Sequence, residues 1–241
     1  AVNHKLIFID TGTSKGLVAV SQPHGSSGAT VDIDTYCFVG NAGASSTSTS
    51  ATFPSSMTCL YMLQEAPTSA TAILDWTSNA RHSTAIAGSM TSGDLVTGGP
   101  HAGLKCIQFD SNDRATIPAA IFNDCETAGA YTWFGWLRPV YESANQGAFG
   151  AKSTQMRITR KDNSTNNREL VVSQRNAANS ASFTATASSS TPTLSNAWSL
   201  IHSVYNGSTL KGYMNGVEVC SVAATSLQNA SMDYWIGHDN A

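Results

Sequence analysis

Apolar and polar residues alternate in short runs along most of this chain, and clusters of turn residues separate the runs. In the segment 198–205 the bulky residues fall on every second position, which is the period of a β-strand and places them on one face. They are Trp198, Leu200, His202 and Val204. Similar runs recur after residue 53, whereas helical periodicity is nearly absent, so we expect an all-β protein in which 60–65 is at most a turn.

Asn215-Gly216 predicts a tight hairpin. Both central residues of a type I′ turn need a positive φ, and Asn and Gly tolerate that conformation best. The turn joins an apolar run that ends at Met214 to one that begins at Val217, so these two residues should pair. One step further from the turn, Tyr213 should pair with Glu218.

The segment 132–139 is predicted to be a long strand that Pro139 ends, because proline lacks a backbone donor. Trp133 and Trp136 fall on opposite faces of this strand, which requires both faces to be at least partly covered. Four more strands are predicted between this segment and Trp198, at 148–151, 155–159, 170–172 and 182–186.

Three apolar runs near the N-terminus, at 6–9, 16–20 and 33–39, predict a small β-module. The following residues 42–52 are nearly all Ala, Ser, Thr and Gly, and they are too poor in bulky apolar groups to form a core. We therefore expect a small β-module with its linker at 1–52 and a larger sandwich at 53–241.

Composition narrows the class of partner. The chain has 241 residues, enough for a large all-β domain, and its net charge of −3 gives no reason to expect nucleic acid as a partner. No apolar run reaches the roughly 20 residues needed to span a bilayer. The five cysteines are an odd number without CxxC spacing, which indicates free structural thiols and favours a reducing compartment.

Four segments, 73–82, 107–113, 131–139 and 198–216, carry motifs that occur in the same order in one known family. They resemble the Asp-x-Ser-Gly-Asn-Gly-x-His loop, the Phe-Asp-Gly-x-Asp-Asp turn, the long strand after it and the Tyr-x-Asn-Gly hairpin of the concanavalin A-like, laminin-G-like jelly-roll family. The resemblance implies an antiparallel jelly-roll β-sandwich. Residues 1–55 resemble the C-terminal half of a β-module that commonly precedes such domains.

The chain departs from the family pattern in two places. Ser111 replaces an expected Gly, and Arg114-Ala115 stand where an Asp-Tyr pair is usual, which weakens the expectation of a family ion site at this turn. The family also continues beyond the strand at 235–237 with one more strand, which we expect to be lacking here. We therefore expect either a fragment or a sheet edge that another chain completes.

Hydrolytic members of this fold need two carboxylates on one strand face, about 5.5 Å apart. None of the five glutamates is followed by Asp or Glu two or four residues later, and the nearest approach is Asp124-Cys125-Glu126 in reverse order. The sequence also has no Gly-x-Ser-x-Gly elbow, P-loop or His-Glu-x-x-His motif. We therefore expect no catalytic residues and no enzyme, and we interpret His82 and His202 as turn and strand residues.

Calcium is the ion that the loops favour, because it accepts carboxylate and amide oxygens without demanding tight geometry. Asp110, Asn112 and Asp113 lie in one turn, and Asp75 and Asn79 lie in another. The alternative is that these side chains cap their turns through Asx hydrogen bonds. We expect no required cofactor, with Ca²⁺ as a candidate ligand.

Trp76, Tyr141 and Tyr234 are the candidate glycan-binding residues. Aromatic faces stack on the CH groups of sugars while amides bind hydroxyls, and loops of a sandwich suit this chemistry. The alternative is that each ring is ordinary half-buried packing.

Two non-catalytic functions fit these observations. The leading hypothesis is a virion component, such as a phage decoration, fibre or tail protein, that packs against other copies or other structural proteins. It is favoured by the unpaired cysteines, the surface rich in hydroxyl groups and the expected open edge. The alternative is a secreted or cell-surface module for carbohydrate binding or adhesion. The expected location is accordingly a virion surface or the extracellular space.

Overall fold

The structure is a computed structural model, and it describes the following residues: 3–10, 15–21, 57–101, 103–110, 113–138, 146–151, 156–162, 168–176, 182–187, 197–227 and 234–237. Strands β1 (Asn3–Asp10) and β2 (Lys15–Ser21) pair as an antiparallel sheet of their own. They confirm two of the three strands predicted near the N-terminus. The third, at 33–39, and the linker at 42–52 lie outside the described residues, and the division into 1–52 and 53–241 stays a prediction.

The remaining described strands form two large sheets and one small one. Their bounds are β3 Ala85–Ala87, β4 Leu95–Thr97, β5 Lys105–Ile107, β6 Arg114–Ile117, β7 Tyr131–Leu137, β8 Gln146–Ala151, β9 Met156–Asp162, β10 Arg168–Arg175, β11 Ser182–Thr186, β12 Ser199–Tyr205, β13 Thr209–Met214, β14 Val217–Ala223 and β15 Tyr234–Gly237. One sheet has seven strands in the order β11-β10-β9-β8-β15-β6-β3, and the other has four in the order β14-β13-β12-β7. Strands β4 and β5 pair separately, and neighbours in every sheet are antiparallel.

The main core lies between the two large sheets. Leu170 and Val172 on β10 pack in the same buried cluster as Ile201 on β12 and Leu210 and Met214 on β13. Burying a side chain of this size stabilises the fold by about 1.5–3 kcal/mol, so this layer holds the sheets face to face. The predicted all-β antiparallel sandwich is confirmed.

The hairpin at Asn215-Gly216 is confirmed in its turn and in its register. Both residues have positive φ, 51° and 83°, as a type I′ turn requires. Met214 pairs with Val217, and the next pair is Tyr213 with Glu218. Beyond this point the register shifts, because Val219 forms a bulge and Gly212 pairs with Cys220.

Strand β12 buries the face opposite to the one that carries Leu200, His202 and Val204. Ser199, Ile201, Ser203 and Tyr205 are buried, whereas Leu200, His202 and Val204 are only partly buried. The alternation predicted for 198–205 is therefore present: whereas Ile201 and Tyr205 point into the core, Leu200, His202 and Val204 point away from the other large sheet. We call this side of the four-stranded sheet the outer face.

One α-helix contradicts the expectation that helical periodicity is nearly absent. Helix α1 (Ala120–Ala128) begins shortly after Pro118 and ends at Gly129, which adopts φ 64° and donates its backbone N–H to the Glu126 carbonyl. Its buried residues are Ile121, Phe122 and Cys125, which join the main core. Within the described part of the chain, no helix is long and apolar enough to cross a bilayer.

Candidate functional site

The outer face of the four-stranded sheet carries large rings that are open to solvent. Phe134 is 54% exposed and Trp136 is 40% exposed, although both lie on a strand whose other face packs into the core. Strand pleating explains this arrangement, since residues two apart on β7 share a face. Trp133, in the alternate set, packs instead against the core. Trp133 and Trp136 thus lie on opposite faces, as predicted.

Sheet register aligns three rings across adjacent strands. Phe134 on β7 pairs with His202 on β12, and His202 pairs in turn with Tyr213 on β13. The ring centroids are 6.2 Å apart between Phe134 and His202 and 6.3 Å apart between His202 and Tyr213. We call these three residues the aromatic row, which runs perpendicular to the strands.

Charged groups stand at one end of the aromatic row. Tyr213 pairs with Glu218 on β14, and the Tyr213 hydroxyl donates to Glu218 Oε2 at 3.4 Å. Lys211 Nζ donates to the same oxygen at 2.8 Å. This hydrogen bond raises the pKa of Lys211 and lowers the pKa of Glu218, so the two charges remain paired.

His202 lies at the centre of the row with an unusual environment. Its Nε2 is buried and has no hydrogen-bond partner among the described residues. Burial lowers the pKa of His202 below its ordinary value of 6.5, because a protonated imidazole would lose its hydration here. The ring is therefore neutral at neutral pH and can act as part of an apolar surface.

A second group of rings borders the row beyond Trp136. His101 meets the Trp136 ring edge-on, with centroids 5.5 Å apart. Trp198 donates its indole N–H to the Gly98 carbonyl at 2.8 Å, and the Arg138 guanidinium lies over the Trp198 ring at 5.6 Å. These contacts tie the loop between β4 and β5 to this end of the outer face.

The sequence-predicted glycan candidates do not come together. Trp76 is 37% exposed, lies on a loop and donates its indole N–H to Glu65 Oε1 at 3.0 Å. Tyr234 is 1% exposed and is stacked on Phe122 in the core, so its ring presents no face to a sugar. Tyr141 lies outside the described residues.

Both carboxylate oxygens of Asp75 accept hydrogen bonds, from its own loop and from Leu60. Its Oδ1 accepts from the backbone N–H groups of Leu60 and Thr77, both at 2.9 Å. Its Oδ2 accepts from Thr77 Oγ1 at 2.8 Å and from the Arg81 backbone N–H at 2.9 Å. Asn79 likewise uses its amide to donate to the Met57 and Thr58 carbonyls. The turn-capping alternative describes Asp75, which accepts from Thr77 two residues later, whereas Asn79 donates to carbonyls 21 and 22 residues earlier in the chain.

Asp113 differs from Asp75 because one of its oxygens is unused. The residue is 1% exposed, and its Oδ1 accepts from the Ser89 backbone N–H at 2.6 Å. Its Oδ2 is buried without a hydrogen-bond partner among the described residues. Asp113 also donates its backbone N–H to the Asp110 carbonyl at 2.8 Å, whereas Asn112 lies outside the described residues. Within the described ranges, no three His, Cys, Asp or Glu side chains are grouped as metal ligands.

The near match to a catalytic carboxylate pair falls on a helix. Asp124 and Glu126 both lie on α1, and Asp124 forms an ion pair with Arg81 at 2.6 Å. Residues two apart on a helix do not share a face, so this segment does not supply two carboxylates on one strand surface.

The cysteines of the described segments are all free: Cys59, Cys106, Cys125 and Cys220. Burial raises the pKa of Cys59 to about 12 and the pKa of Cys125 and Cys220 to about 11. These three thiols stay protonated at neutral pH, which suits packing rather than nucleophilic chemistry. The prediction of free thiols is confirmed for these four residues, and Cys37 lies outside the described residues.

The described strands form an antiparallel β-sandwich. A family model described as the concanavalin A-like lectin/glucanases superfamily matches residues 109–241. The chain belongs to this superfamily. Among solved structures, it is similar to the mouse laminin alpha1 chain, domains LG4-5, at 12% identity and a TM-score of 0.37, over 46% of this chain and 28% of that chain. No match to a curated protein was found.

The aromatic row was not among the residues that sequence reasoning selected. The sequence places His202 on a strand without a ligand role, and it assigns no ligand role to Phe134 or Tyr213. The signal was partly present, since the register of Tyr213 and Glu218 was predicted from the turn. The pairing of β12 with β7, which brings Phe134 to His202, has no comparable local signal because a long connection separates the two strands.

Proposed function

We propose that this protein is a non-catalytic carbohydrate-binding or adhesion module that binds its ligand on the outer face of the four-stranded sheet. The observation that carries the proposal is the exposure of Phe134, a member of the aromatic row, and of Trp136, two residues further along the same strand. Membership of the concanavalin A-like lectin/glucanases superfamily supports the lectin part of the proposal.

Two large rings exposed on one face of a sheet favour a binding surface there. Leaving a large aromatic side chain about half exposed to water forgoes part of the roughly 1.5–3 kcal/mol that its full burial would contribute. A contiguous apolar patch on a soluble protein commonly marks a binding surface. The CH groups of a pyranose ring fit against such rings, while its hydroxyl groups remain free to bind nearby polar groups.

The proposal that the module is non-catalytic rests on the number of carboxylates near the aromatic row. Glycosidases of the retaining type use two carboxyl groups about 5 to 5.5 Å apart. Among the described residues that pair across the aromatic row, Glu218 is the one carboxylate, and Lys211 already holds it at 2.8 Å. Release of reducing sugar from β-glucans by the purified protein would overturn this part of the proposal.

The binding experiment measures retention on immobilised neutral and acidic polysaccharides. The wild-type protein is compared with the double variant Phe134→Ala/Trp136→Ala and with Trp76→Ala, which removes a ring of similar exposure from a different region. We expect the double variant to lose retention and Trp76→Ala to keep it. Loss in Trp76→Ala alone would move the site to the loop, and no retention of the wild type on any glycan would remove the lectin proposal.

A second candidate function is a structural part of a virion, and the same exposed face favours it. Apolar rings on a sheet face can pack against another copy or another structural protein as well as against a sugar. Sedimentation of the purified protein tests this candidate. An assembly that Phe134→Ala/Trp136→Ala dissociates supports it, and a stable monomer that no particle contains argues against it. We likewise propose a virion surface or an extracellular location for the protein.

Calcium is proposed as an optional ligand at Asp113. The unused Oδ2 is the supporting observation, because a buried carboxylate oxygen without a partner is costly and a cation would relieve that cost. Melting of the protein with Ca²⁺ and with a chelator tests the proposal. We expect Ca²⁺ to raise the melting temperature of the wild type but not that of Asp113→Asn.

A further inference from the structure

We propose that Asn206 is a site of covalent self-modification, at which the folded protein converts a side-chain amide to a carboxylate without an enzyme. The sequence Asn-Gly occurs twice in the chain, at Asn206-Gly207 and at Asn215-Gly216. Both pairs are exposed, and they lie at opposite ends of β13. The fold activates the first pair and protects the second.

The reaction needs only atoms of the chain and water. The backbone nitrogen of Gly207 attacks Cγ of Asn206, and the new N–Cγ bond closes an imide ring. The Cγ–Nδ2 bond breaks, and Nδ2 leaves as ammonia with the proton that the Gly207 nitrogen has lost. Water then opens the ring at either carbonyl, which gives aspartate or isoaspartate. Glycine favours this attack because it has no Cβ to obstruct the approach of its nitrogen.

Three donors surround the oxygen on which negative charge develops during this attack. Asn206 Oδ1 accepts from the Ser208 backbone N–H at 3.0 Å, from the Ser208 hydroxyl at 3.1 Å and from the Thr209 backbone N–H at 2.8 Å. Addition of the Gly207 nitrogen to Cγ turns this carbonyl oxygen into an oxyanion. Donors that are already in place stabilise such a charge without reorganisation, so they lower the barrier for the addition.

The same hydrogen bonds hold the side chain of Asn206 against the next peptide. All three donors belong to the two residues that follow Gly207, so the side chain is folded over the Gly207 backbone. The backbone N–H of Asn206 donates to the Thr209 carbonyl at 3.3 Å, which closes the turn. A reaction gains rate when its partners are held together before it begins. Cγ of Asn206 is therefore kept near the nitrogen that attacks it.

Asn215 is held in a different way. Its Oδ1 accepts from the Leu200 backbone N–H at 2.9 Å, and its own N–H donates to the Leu200 carbonyl at 2.8 Å. Both bonds join Asn215 to the neighbouring strand β12 rather than to the residues that follow it. Rotating the side chain over Gly216 would break the first bond, and the φ of 51° fixes the backbone in the conformation of the turn. One donor also stabilises an oxyanion less than three donors do.

The modification would change the connection between β12 and β13. Aspartate keeps an acceptor at position 206 and adds a negative charge, because its carboxyl group is ionised at neutral pH. Isoaspartate routes the backbone through the former side chain, so it lengthens the connection between Tyr205 and Leu210, which pair across the two strands. Both products therefore differ from the original chain in charge, and isoaspartate also differs in its backbone.

Ageing of the full chain in mildly alkaline buffer tests the proposal. Peptide mapping by mass spectrometry follows the conversion of Asn206 and Asn215 separately. A parallel sample unfolded in urea is the matched control, because it contains both Asn-Gly pairs without the fold. Two variants test the side-chain donor: Ser208→Ala removes the hydroxyl group, and Ser208→Thr keeps one. Melting curves establish that each variant is folded before its rates are compared.

In the folded protein Asn206 should react at least about tenfold faster than Asn215, whereas the two rates should be similar in urea. Equal rates in the folded protein, or faster conversion of Asn215, would overturn the proposal. A difference in urea as large as that in the folded protein would also overturn it, because the local sequence would then be the cause.

The variants should separate the hydroxyl group from the rest of the turn. Ser208→Ala should slow the conversion of Asn206 about tenfold and leave Asn215 unchanged, and Ser208→Thr should react like the wild type. An unchanged rate at Asn206 in a folded Ser208→Ala variant would contradict the stabilisation of the oxyanion by three donors. Equal slowing of Asn206 in Ser208→Ala and Ser208→Thr would contradict it as well, since the second variant keeps the hydroxyl donor.

Discussion

The two faces of the four-stranded sheet are built from the same strands but carry different kinds of side chain. The inner face buries Ile201, Leu210 and Met214 together with small serines of β12. The outer face carries Phe134 and Trp136, which are larger than most of the inner residues and are exposed. Core formation accounts for the inner set, whereas nothing in folding alone requires the outer set. The difference supports the proposal that the outer rings serve binding rather than stability.

The largest expected effect is the difference in stability between truncating one side chain on the inner face and truncating one on the outer face. Leu210→Ala removes a fully buried side chain from the inner face and should lower the free energy of unfolding by about 2–5 kcal/mol. Phe134→Ala on the outer face should cost less than about 1 kcal/mol, because the ring is 54% exposed and its cross-strand contact with His202 is a weak one. Urea denaturation of both variants measures the difference. Equal losses would mean that the outer ring is structural.

A second prediction concerns the tight packing of the inner face at Gly212. A Cβ at this position would lie 2.7 Å from Cys220 Sγ and 3.3 Å from Val172 Cγ1. Gly212→Ala should therefore destabilise the protein by about 1–3 kcal/mol through overpacking. Cys220→Ala should make room for it, so the double variant is the control. Denaturation of the two single variants and of the double variant measures each loss in the free energy of unfolding. The double variant should lose less than the sum of the two single losses, and a loss equal to that sum would contradict the contact.

The turn at Asn215 joins β13 to β14 in the four-stranded sheet, and disrupting it should have a smaller effect than the two changes above. Asn215 has φ 51°, and its Oδ1 accepts from the Leu200 backbone N–H at 2.9 Å. Asn215→Ala should lower the free energy of unfolding by about 1–2 kcal/mol because alanine is strained in the left-handed conformation. The missing hydrogen bond adds to this loss. Asn215→Gly keeps the favourable backbone and loses only the bond. If thermal melting shows the two variants to be equally stable, backbone strain is not the cause.

Much of this fold was predictable because its signals are local. Strand β11 has the bounds predicted for it, 182–186, and the Asn215-Gly216 dipeptide alone predicted the pairing of Tyr213 with Glu218. Helix α1 was missed although Pro118 and Gly129 frame it, since only Ile121, Phe122 and Cys125 mark its buried side. A pattern that short does not stand out among strands.

The candidate site was less predictable because it depends on non-local pairing. Period-two alternation in β12 shows that two faces differ, but it does not show which face the other sheet covers. In this strand the serines lie inside and His202 lies outside, against the usual ranking of burial. The row forms only when β7 pairs with β12 in one register. Tyr234 was a poor candidate for the same reason, because its burial follows from the pairing of β15 with β6 and β8.

The smallest expected effect is a dependence of stability on pH that comes from the outer face. His202 has a lowered pKa because burial disfavours its charged form, and Phe134 and Tyr213 flank it without offering a carboxylate. The unfolded chain therefore takes up a proton more readily, and the contribution is present above about pH 6.5 and is lost as the pH falls below it. Denaturation at about pH 7 and about pH 5 should show a smaller loss for His202→Gln than for the wild type. His101→Gln, which removes an exposed histidine beside Trp136, is the matched control. Parallel losses in wild type and His202→Gln would mean that the imidazole is hydrated in the folded protein, and the outer face would then be more polar at its centre than its neighbours suggest.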